Sequence, residues 1–297
     1  MKVLLQTFTT PGFIPWVETL LESVKVSSGG KVDVRVDSVN LSEEDIERIE
    51  KTYDRVSVHN INTDLEALSK EIGISESKLH KWKTDIENGN TSKKNFPYKI
   101  YISVNQRYRK MDQVIAESKE AGYDLLVHCD ADVMFRKDLS ESGLVKHLPE
   151  YDVGFYVNNS KRNHMQHSRK VFGAFLCFNL NGYLDEFVSK WMAEIDGTPF
   201  MNRWKGFGQS VLYYTWNNLK QTRYIDLFQI EDDFKMSRNF EPDADMWFGS
   251  NNRKLLIRLR KYLKFSSVVS KADMTRSIYK KEISRLAEEA GVADPYA

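Results

Sequence analysis

The segment Leu125-Leu126-Val127-His128-Cys129-Asp130-Ala131-Asp132-Val133-Met134-Phe135 runs from a strongly apolar block into two aspartates one residue apart, and then back into apolar residues. A short apolar run of this length, opening after Gly122-Tyr123-Asp124, reads as a strand. The carboxylates fall where that strand ends, and ligands of open α/β sheets bind at the carboxyl ends of the strands. Residues two apart in an extended chain point the same way, so Asp130 and Asp132 can address one point in space. Two carboxylates so placed repel each other unless they share a hard divalent cation, which can also neutralise the growing charge on a diphosphate. Asp-x-Asp is common in solvated turns, but apolar residues on both sides favour a buried site at a sheet edge.

Working outward, the same alternation of elements recurs. Val3-Leu4-Leu5, the loop Thr7-Phe8-Thr9-Thr10-Pro11-Gly12, and Trp16, Leu20, Leu21 and Val24 at helical spacing read as strand, loop and helix. Val32–Val36 alternates at period two, Ser42-Glu43-Glu44-Asp45 opens an acidic helix, and Val56-Ser57-Val58 follows as a strand. Residues 64–97 are polar and lysine-rich, with Leu65, Leu68 and Ile72 on one helical face, and read as inserted helices on the surface. Ile100–Val104 reads as the next strand, and Met111–Ala116 as a helix ended by Ala121-Gly122. Downstream, Val153–Val157 and Val171–Phe178 read as strands around the polar loop 158–170. Helices follow over Leu184–Ile195 and after Gly206-Phe207-Gly208, then the strand Tyr224–Leu227 and a helical pattern beyond residue 250. Repeated strand–helix units predict an α/β fold with an open, mostly parallel sheet covered by helices on both faces. The expected organisation is a catalytic domain over 1–250, with a nucleotide-binding half 1–129 and an acceptor half 130–250, and a helical extension over 251–297.

Composition narrows the function. Of 297 residues, 41% are hydrophobic and 29% charged, which is enough apolar material for a sizeable core. A net charge of +1 provides no global field for nucleic acid, so none is expected as a partner. The two cysteines, Cys129 and Cys177, sit in apolar runs and read as buried thiols, which fits a cytoplasmic protein. No apolar run approaches the ~20 residues that span a bilayer.

Asp130-Ala131-Asp132 followed by Phe135-Arg136-Lys137-Asp138-Leu139 resembles the GT-A glycosyltransferases over roughly residues 1–250. The resemblance implies a GT-A, Rossmann-like fold and transfer of a sugar from a nucleotide-diphosphate sugar, with UDP-sugar ahead of GDP-sugar. It implies Mn2+ or Mg2+ bridging Asp132 and Asp130 to the diphosphate, Asp130 also near the ribose, and Thr7, Phe8 and Thr9 lining the base. The acceptor would be a glycan or a lipid-linked oligosaccharide, as in polysaccharide biosynthesis. Arg109, before the helix that leads to the Asp-x-Asp strand, is a candidate contact to the nucleotide sugar, because a cation at a helix N-terminus needs a partner. Gln209 lies where inverting GT-A enzymes often place an acidic base. Glutamine cannot deprotonate a hydroxyl at neutral pH, which tilts the reading towards the retaining enzymes resembling family 8 galactosyltransferases. Asp243–Gly249 with Arg253 and Lys254 resembles that family's closing element without its histidine, leaving Asp245 or Asp243 as third metal ligand.

The basic amphipathic stretch 253–264, with Leu255, Leu256, Leu259 and Leu263 on one stripe, either packs on the domain or lies on an anionic membrane surface. Asp130-Ala131-Asp132-Val133 also matches the string of haloacid-dehalogenase-like phosphatases, whose first aspartate is a nucleophile, although that family carries it on its first strand. A non-catalytic nucleotide-sugar-binding protein would use the same aspartates.

Overall fold

The computed structural model describes residues 1–87, 98, 101–157, 171–198, 207–249, 252–259 and 276–297. In chain order the first half comprises β1 (Val3–Thr9), α1 (Ile14–Ser27), β2 (Asp33–Val39), α2 (Glu43–Thr52), β3 (Val56–Ile61), α3 (Leu65–Ile72) and α4 (Glu76–Glu87). A π-helical segment, Tyr101–Tyr108, then leads into α5 (Met111–Glu120), β4 (Leu125–Asp130) and β5 (Val133–Phe135). The second half holds α6 (Gly143–Lys146), β6 (Val153–Val157), β7 (Val171–Asn179), α7 (Asp185–Gly197), α8 (Phe207–Asn217), β8 (Tyr224–Asp226), β9 (Met236–Ser237), β10 (Met246–Phe248), α9 (Arg253–Arg258) and α10 (Arg276–Ala290).

Seven strands form one sheet in the order β3-β2-β1-β4-β7-β6-β8, and β5, β10 and β9 form a second, small sheet. Strands β3, β2, β1 and β4 are parallel, β7 runs against both β4 and β6, and β8 is parallel to β6. The expected α/β class with a mostly parallel sheet is the one observed. Strand β4 explains why its sequence is a continuous apolar run. Leu125, Val127 and Cys129 join the core cluster that holds Val17, Leu20 and Leu21 of α1, while Leu126 joins the opposite cluster with Met111 and Val114 of α5 and Trp191 of α7. A strand buried on both faces has no polar alternation to show. Cys129 and Cys177 are free and fully buried, as expected.

Local signals hold where the chain is short-range determined. The Ser42 side chain caps α2 by accepting from Asp45 N at 3.2 Å, Asp64 caps α3 through Ala67 N at 2.9 Å, and Gly73 and Gly122 end helical segments in the left-handed region. One expected strand is not formed. Ile100–Val104 alternates like a strand, yet Tyr101–Tyr108 is π-helical. Both sides of β1 are already taken by β2 and β4, and Tyr98 and Ile102 bury themselves instead against Leu65 and Leu68 of α3 and Leu79 and Trp82 of α4. Tertiary burial overrides the alternating pattern.

The C-terminal helices share a core with the second sheet. Leu255, Leu256 and Leu259 are fully buried with Met134, Trp247, Ile283 and Leu286. Three leucines of the basic stripe are therefore consumed by packing and offer no apolar face to a membrane; Leu263 lies outside the described residues. Among the described residues no helix is long and apolar enough to cross a membrane.

Candidate active site

From β1 the chain passes to β2 and β3 on one side of the sheet, and then returns to β4 on the other side. The strand order reverses between β1 and β4, and connections leaving two such strands in opposite directions open a crevice at their carboxyl ends. Register sets what lines it: Phe8 of β1 lies beside Asp130 of β4, and Thr7 beside Cys129. A cavity of about 290 Å³ occupies this crevice, lined by Phe8, Thr9, Thr10, Phe13, Ile102, Arg107, Asp130, Ala131, Asp132 and Arg253. The strand ends thus meet the approach to α1, the π-helical segment and the start of α9.

Two acids and two cations dominate its chemistry. Arg107 donates through Nη2 to Asp130 Oδ1, and Arg253 donates through Nε to Asp132 Oδ2 at 2.6 Å. Asp132 is only 2% exposed. Burial first, and the neighbouring Asp130 charge second, raise the proton affinity of its carboxyl, and Arg253 only partly offsets them. Burial disfavours the charge on Arg107 as well, but Asp130 more than compensates and its proton is held more tightly than usual. The guanidinium of Arg253 also sits 5.5 Å from the ring centre of Phe13, and Trp16 Nε1 donates to its carbonyl at 3.3 Å, which ties α9 to α1. Gly249 closes the other side: its N–H donates to the Asp132 carbonyl at 2.7 Å, and a Cβ there would lie 3.1 Å from that oxygen.

The donor set suits a hard cation. Each aspartate uses one oxygen for its arginine, and among the described residues no third His, Cys, Asp or Glu joins the pair to complete a metal cage. Magnesium-like ions are commonly held by one or two carboxylates, with phosphate oxygens and water filling the remaining positions. Two carboxylates facing an open cavity therefore fit Mn2+ or Mg2+ together with a diphosphate.

The sequence-predicted residues divide. Asp130, Asp132, Phe8 and Thr9 come together at the cavity. Thr7 does not: it is fully buried and its hydroxyl donates to the Cys129 carbonyl at 2.9 Å, bracing β1 against β4. Arg109 is exposed and pairs with Asp196 of α7 at 3.1 Å, so the partner that its helix-start position demanded is a protein carboxylate. Arg107, two residues earlier, lines the cavity instead. Asp245 precedes β10, where its carboxylate accepts from Lys235 N at 2.8 Å and pairs with Lys137 at 3.2 Å. In the antiparallel register Arg136 N bonds the Asp245 carbonyl while Gly249 N bonds that of Asp132. Four residues of strand separate the two aspartates, about 13 Å, too far for one ion. Asp243 is likewise engaged, with Lys235 Nζ at 3.1 Å. Gln209 lies in the first turn of α8, but its side chain is outside the described residues. Glu231-Asp232-Asp233 is an exposed turn, with Asp233 bonded to His147 and Lys146.

No protein-family model matches the chain, and no curated protein matches it. Solved structures similar to it include the glycosyltransferase GlyE of Streptococcus pneumoniae TIGR4, at 11% identity over 95% of this chain, with a TM-score of 0.47. This chain spans 64% of the GlyE chain. The galactosyltransferase LgtC, in complex with donor and acceptor sugar analogs, is similar at 10% identity over 97% of this chain and 95% of its own, TM-score 0.46. Core-mannan synthase A of Aspergillus fumigatus, in an Mn/GDP form, is similar at 10% identity over 72% of this chain and 69% of its own, TM-score 0.44. Likeness at these values assigns no residue role to this chain.

Proposed function

We propose that this chain is a glycosyltransferase that takes a sugar from a nucleoside-diphosphate donor bound in the β1/β4 crevice, with a divalent cation held by Asp130 and Asp132. The observation that carries the reading is the arrangement of that crevice: two strand-end carboxylates, each faced by an arginine, beside the apolar wall of Phe8, Phe13 and Ile102 at the switch point of the sheet. A diphosphate needs cations and N–H donors, and a base needs apolar or aromatic surface. Arg107 and Arg253 supply the donors, Phe8 and Phe13 the rings, and Thr9 and Thr10 polar groups at the β1 end. When bound, Mn2+ or Mg2+ would neutralise the charge that builds on the departing diphosphate. Asp132, whose charge is disfavoured by burial and by Asp130, gains most from that cation. UDP-sugars are the first donors to test and GDP-sugars the second. A glycan or lipid-linked acceptor, and retention of configuration with Gln209 beside the donor sugar, complete the reading.

Calorimetry with UDP and GDP in the presence of Mn2+, on wild type and Asp132→Ala, together with nucleotide release from a panel of nucleotide sugars, tests it. Metal-dependent binding lost in the variant, with slow donor hydrolysis, is expected. Binding without turnover on any donor would leave a nucleotide-sugar-binding protein. Phosphate release from simple esters without nucleotide binding would replace the reading by that of an aspartate-nucleophile phosphatase.

A further inference from the structure

Behind Asp130 lies a file of buried polar side chains that the proposed chemistry does not use. It begins at Arg35, whose Nη1 meets Glu117 at 2.5 Å and whose Nε meets both oxygens of Asp37 at 3.0 and 3.1 Å. Asp37 accepts in turn from Gln6 Nε2 at 2.7 Å. Gln6 Oε1 meets His128 Nδ1, and His128 Nε2 faces Arg107 Nη2 at 2.9 Å and Nε at 3.3 Å. The same Nη2 reaches Asp130 at the cavity. Gln6 and His128 are at most 1% exposed, so bulk water does not substitute for these contacts.

The donor and acceptor inventory leaves one way to satisfy the file. A carboxylate bridged by a guanidinium accepts, so the amide nitrogen of Gln6 faces Asp37 and its oxygen faces His128. An amide oxygen accepts, so His128 carries its hydrogen on Nδ1. A neutral imidazole protonated on Nδ1 has its lone pair on Nε2, which is what the N–H groups of Arg107 require. The other tautomer, or an imidazolium, would set hydrogen against hydrogen at Arg107. Which ring nitrogen of a histidine carries the proton is set by the bond that the other makes, and here Gln6 makes it.

We propose that Gln6 and His128 are positioning residues: through the Nδ1–H tautomer of His128 they set the guanidinium of Arg107 at the Asp130 edge of the cavity, and nucleotide affinity depends on an acceptor at the Nε2 position. The proposal rests on the diphosphate reading of that cavity, but its structural half is testable without a ligand. In ligand-free protein labelled with 15N-histidine, NMR should find His128 protonated on Nδ1 and bare on Nε2, its resonances assigned among the six histidines by their loss in His128→Gln. A proton on Nε2 at neutral pH would overturn the lock.

The affinity half is read by calorimetry with UDP and Mn2+. His128→Leu removes the acceptor, whereas His128→Gln offers an amide oxygen near the Nε2 position. Removing a side chain that orients a metal ligand typically costs ~10–100-fold; by analogy, at the lower end of that range, His128→Leu should weaken UDP by about tenfold, and His128→Gln should restore it to within about threefold of wild type. Gln6→Met, which leaves His128 intact but releases its tautomer, should fall between. Equal losses in the two His128 variants, or wild-type affinity in His128→Leu, would reduce the file to a structural role. If wild type shows the expected tautomer but binds no nucleotide, the functional reading fails and with it the affinity half, while the lock stands. If wild type binds UDP through Asp132 but His128→Leu binds it equally well, the positioning role fails alone.

Discussion

Replacing Asp132 by asparagine should stabilise the ligand-free protein while removing its response to nucleotide. Burial at 2% exposure and repulsion from Asp130 oppose the Asp132 charge, while Arg253 at 2.6 Å and the residue's own backbone N–H favour it. The first two win, because the carboxyl binds its proton more tightly than an ordinary aspartate. Asparagine keeps the shape and one acceptor oxygen for Arg253 but no longer buries a charge. Stabilising changes of this kind typically yield about 0.5–2 kcal/mol, which for a chain of this size raises the melting temperature by ~1–4 °C. The sign depends on pH. Below the ordinary aspartate value of 3.8 the wild-type group is protonated in both folded and unfolded chains, and the two proteins should melt together. As pH rises through that value the unfolded chain ionises first, so the gap opens and is full once the folded group has ionised. The assay is a thermal melt from pH 3 to 8, with and without UDP and Mn2+. Ligand at about a hundred times its Kd stabilises wild type by ~2.7 kcal/mol, and this shift should vanish in the variant. A lower apo melting temperature at neutral pH would mean that the Arg253 contact outweighs burial. A retained nucleotide shift would remove Asp132 from the site.

Three further outcomes are expected elsewhere in the molecule. His147 bridges Asp233 and Glu150, both at 3.0 Å; Asp233 chiefly raises its proton affinity, burial opposes that rise, and Glu150 adds to it, so the net direction is up. Its contribution is complete below the unfolded value of 6.5 and is lost as pH rises through the folded value, so His147→Gln should lower the melting temperature at pH 5.5 and match wild type at pH 9; a pH-independent difference would contradict this. Asp152 is buried and accepts from Arg223 N at 2.7 Å, Arg223 Nη2 at 2.9 Å and Tyr183 N at 3.0 Å, tying β6 to β8 and to the approach to α7. Burial alone would raise its proton affinity, but these donors lower it, so its stabilisation is present at neutral pH and lost as pH falls through the folded value. Asp152→Ala, which strands those donors, should cost about 2–4 kcal/mol in denaturant unfolding, and a loss under about 1 kcal/mol would contradict the latch. Gly143→Ala would press a Cβ to 2.5 Å from Asp233 Cβ and 2.7 Å from its carbonyl carbon and oxygen. Overpacking of that kind should cost about 1–3 kcal/mol; wild-type stability would show that α6 has room to shift.

The strands, most helices and the Asp-x-Asp pair were legible in the sequence because each rests on short-range physics. Leu125–Cys129 is apolar enough to be buried on either face, Ser42 and Gly122 mark helix ends by a local hydrogen bond and by backbone freedom, and Asp130 and Asp132 lie at a strand end by adjacency. Ile100–Val104 misled because its alternation is real but the strand has no vacant neighbour beside β1. The arginine that the π-helical segment brings to the cavity is Arg107, while Arg109, two positions on, pairs with Asp196. Asp245 is a candidate ligand only through the resemblance to the family 8 closing element, and the β5/β10 register carries it four residues away from Asp132. Arg253 joins Asp132 across 121 residues, and Gln6 joins His128 across 122. Periodicity and capping act over one or two turns of chain and so determined the elements; the arginines and the polar file were decided by which strands lie side by side, a choice made by burial of whole faces rather than by any local pattern.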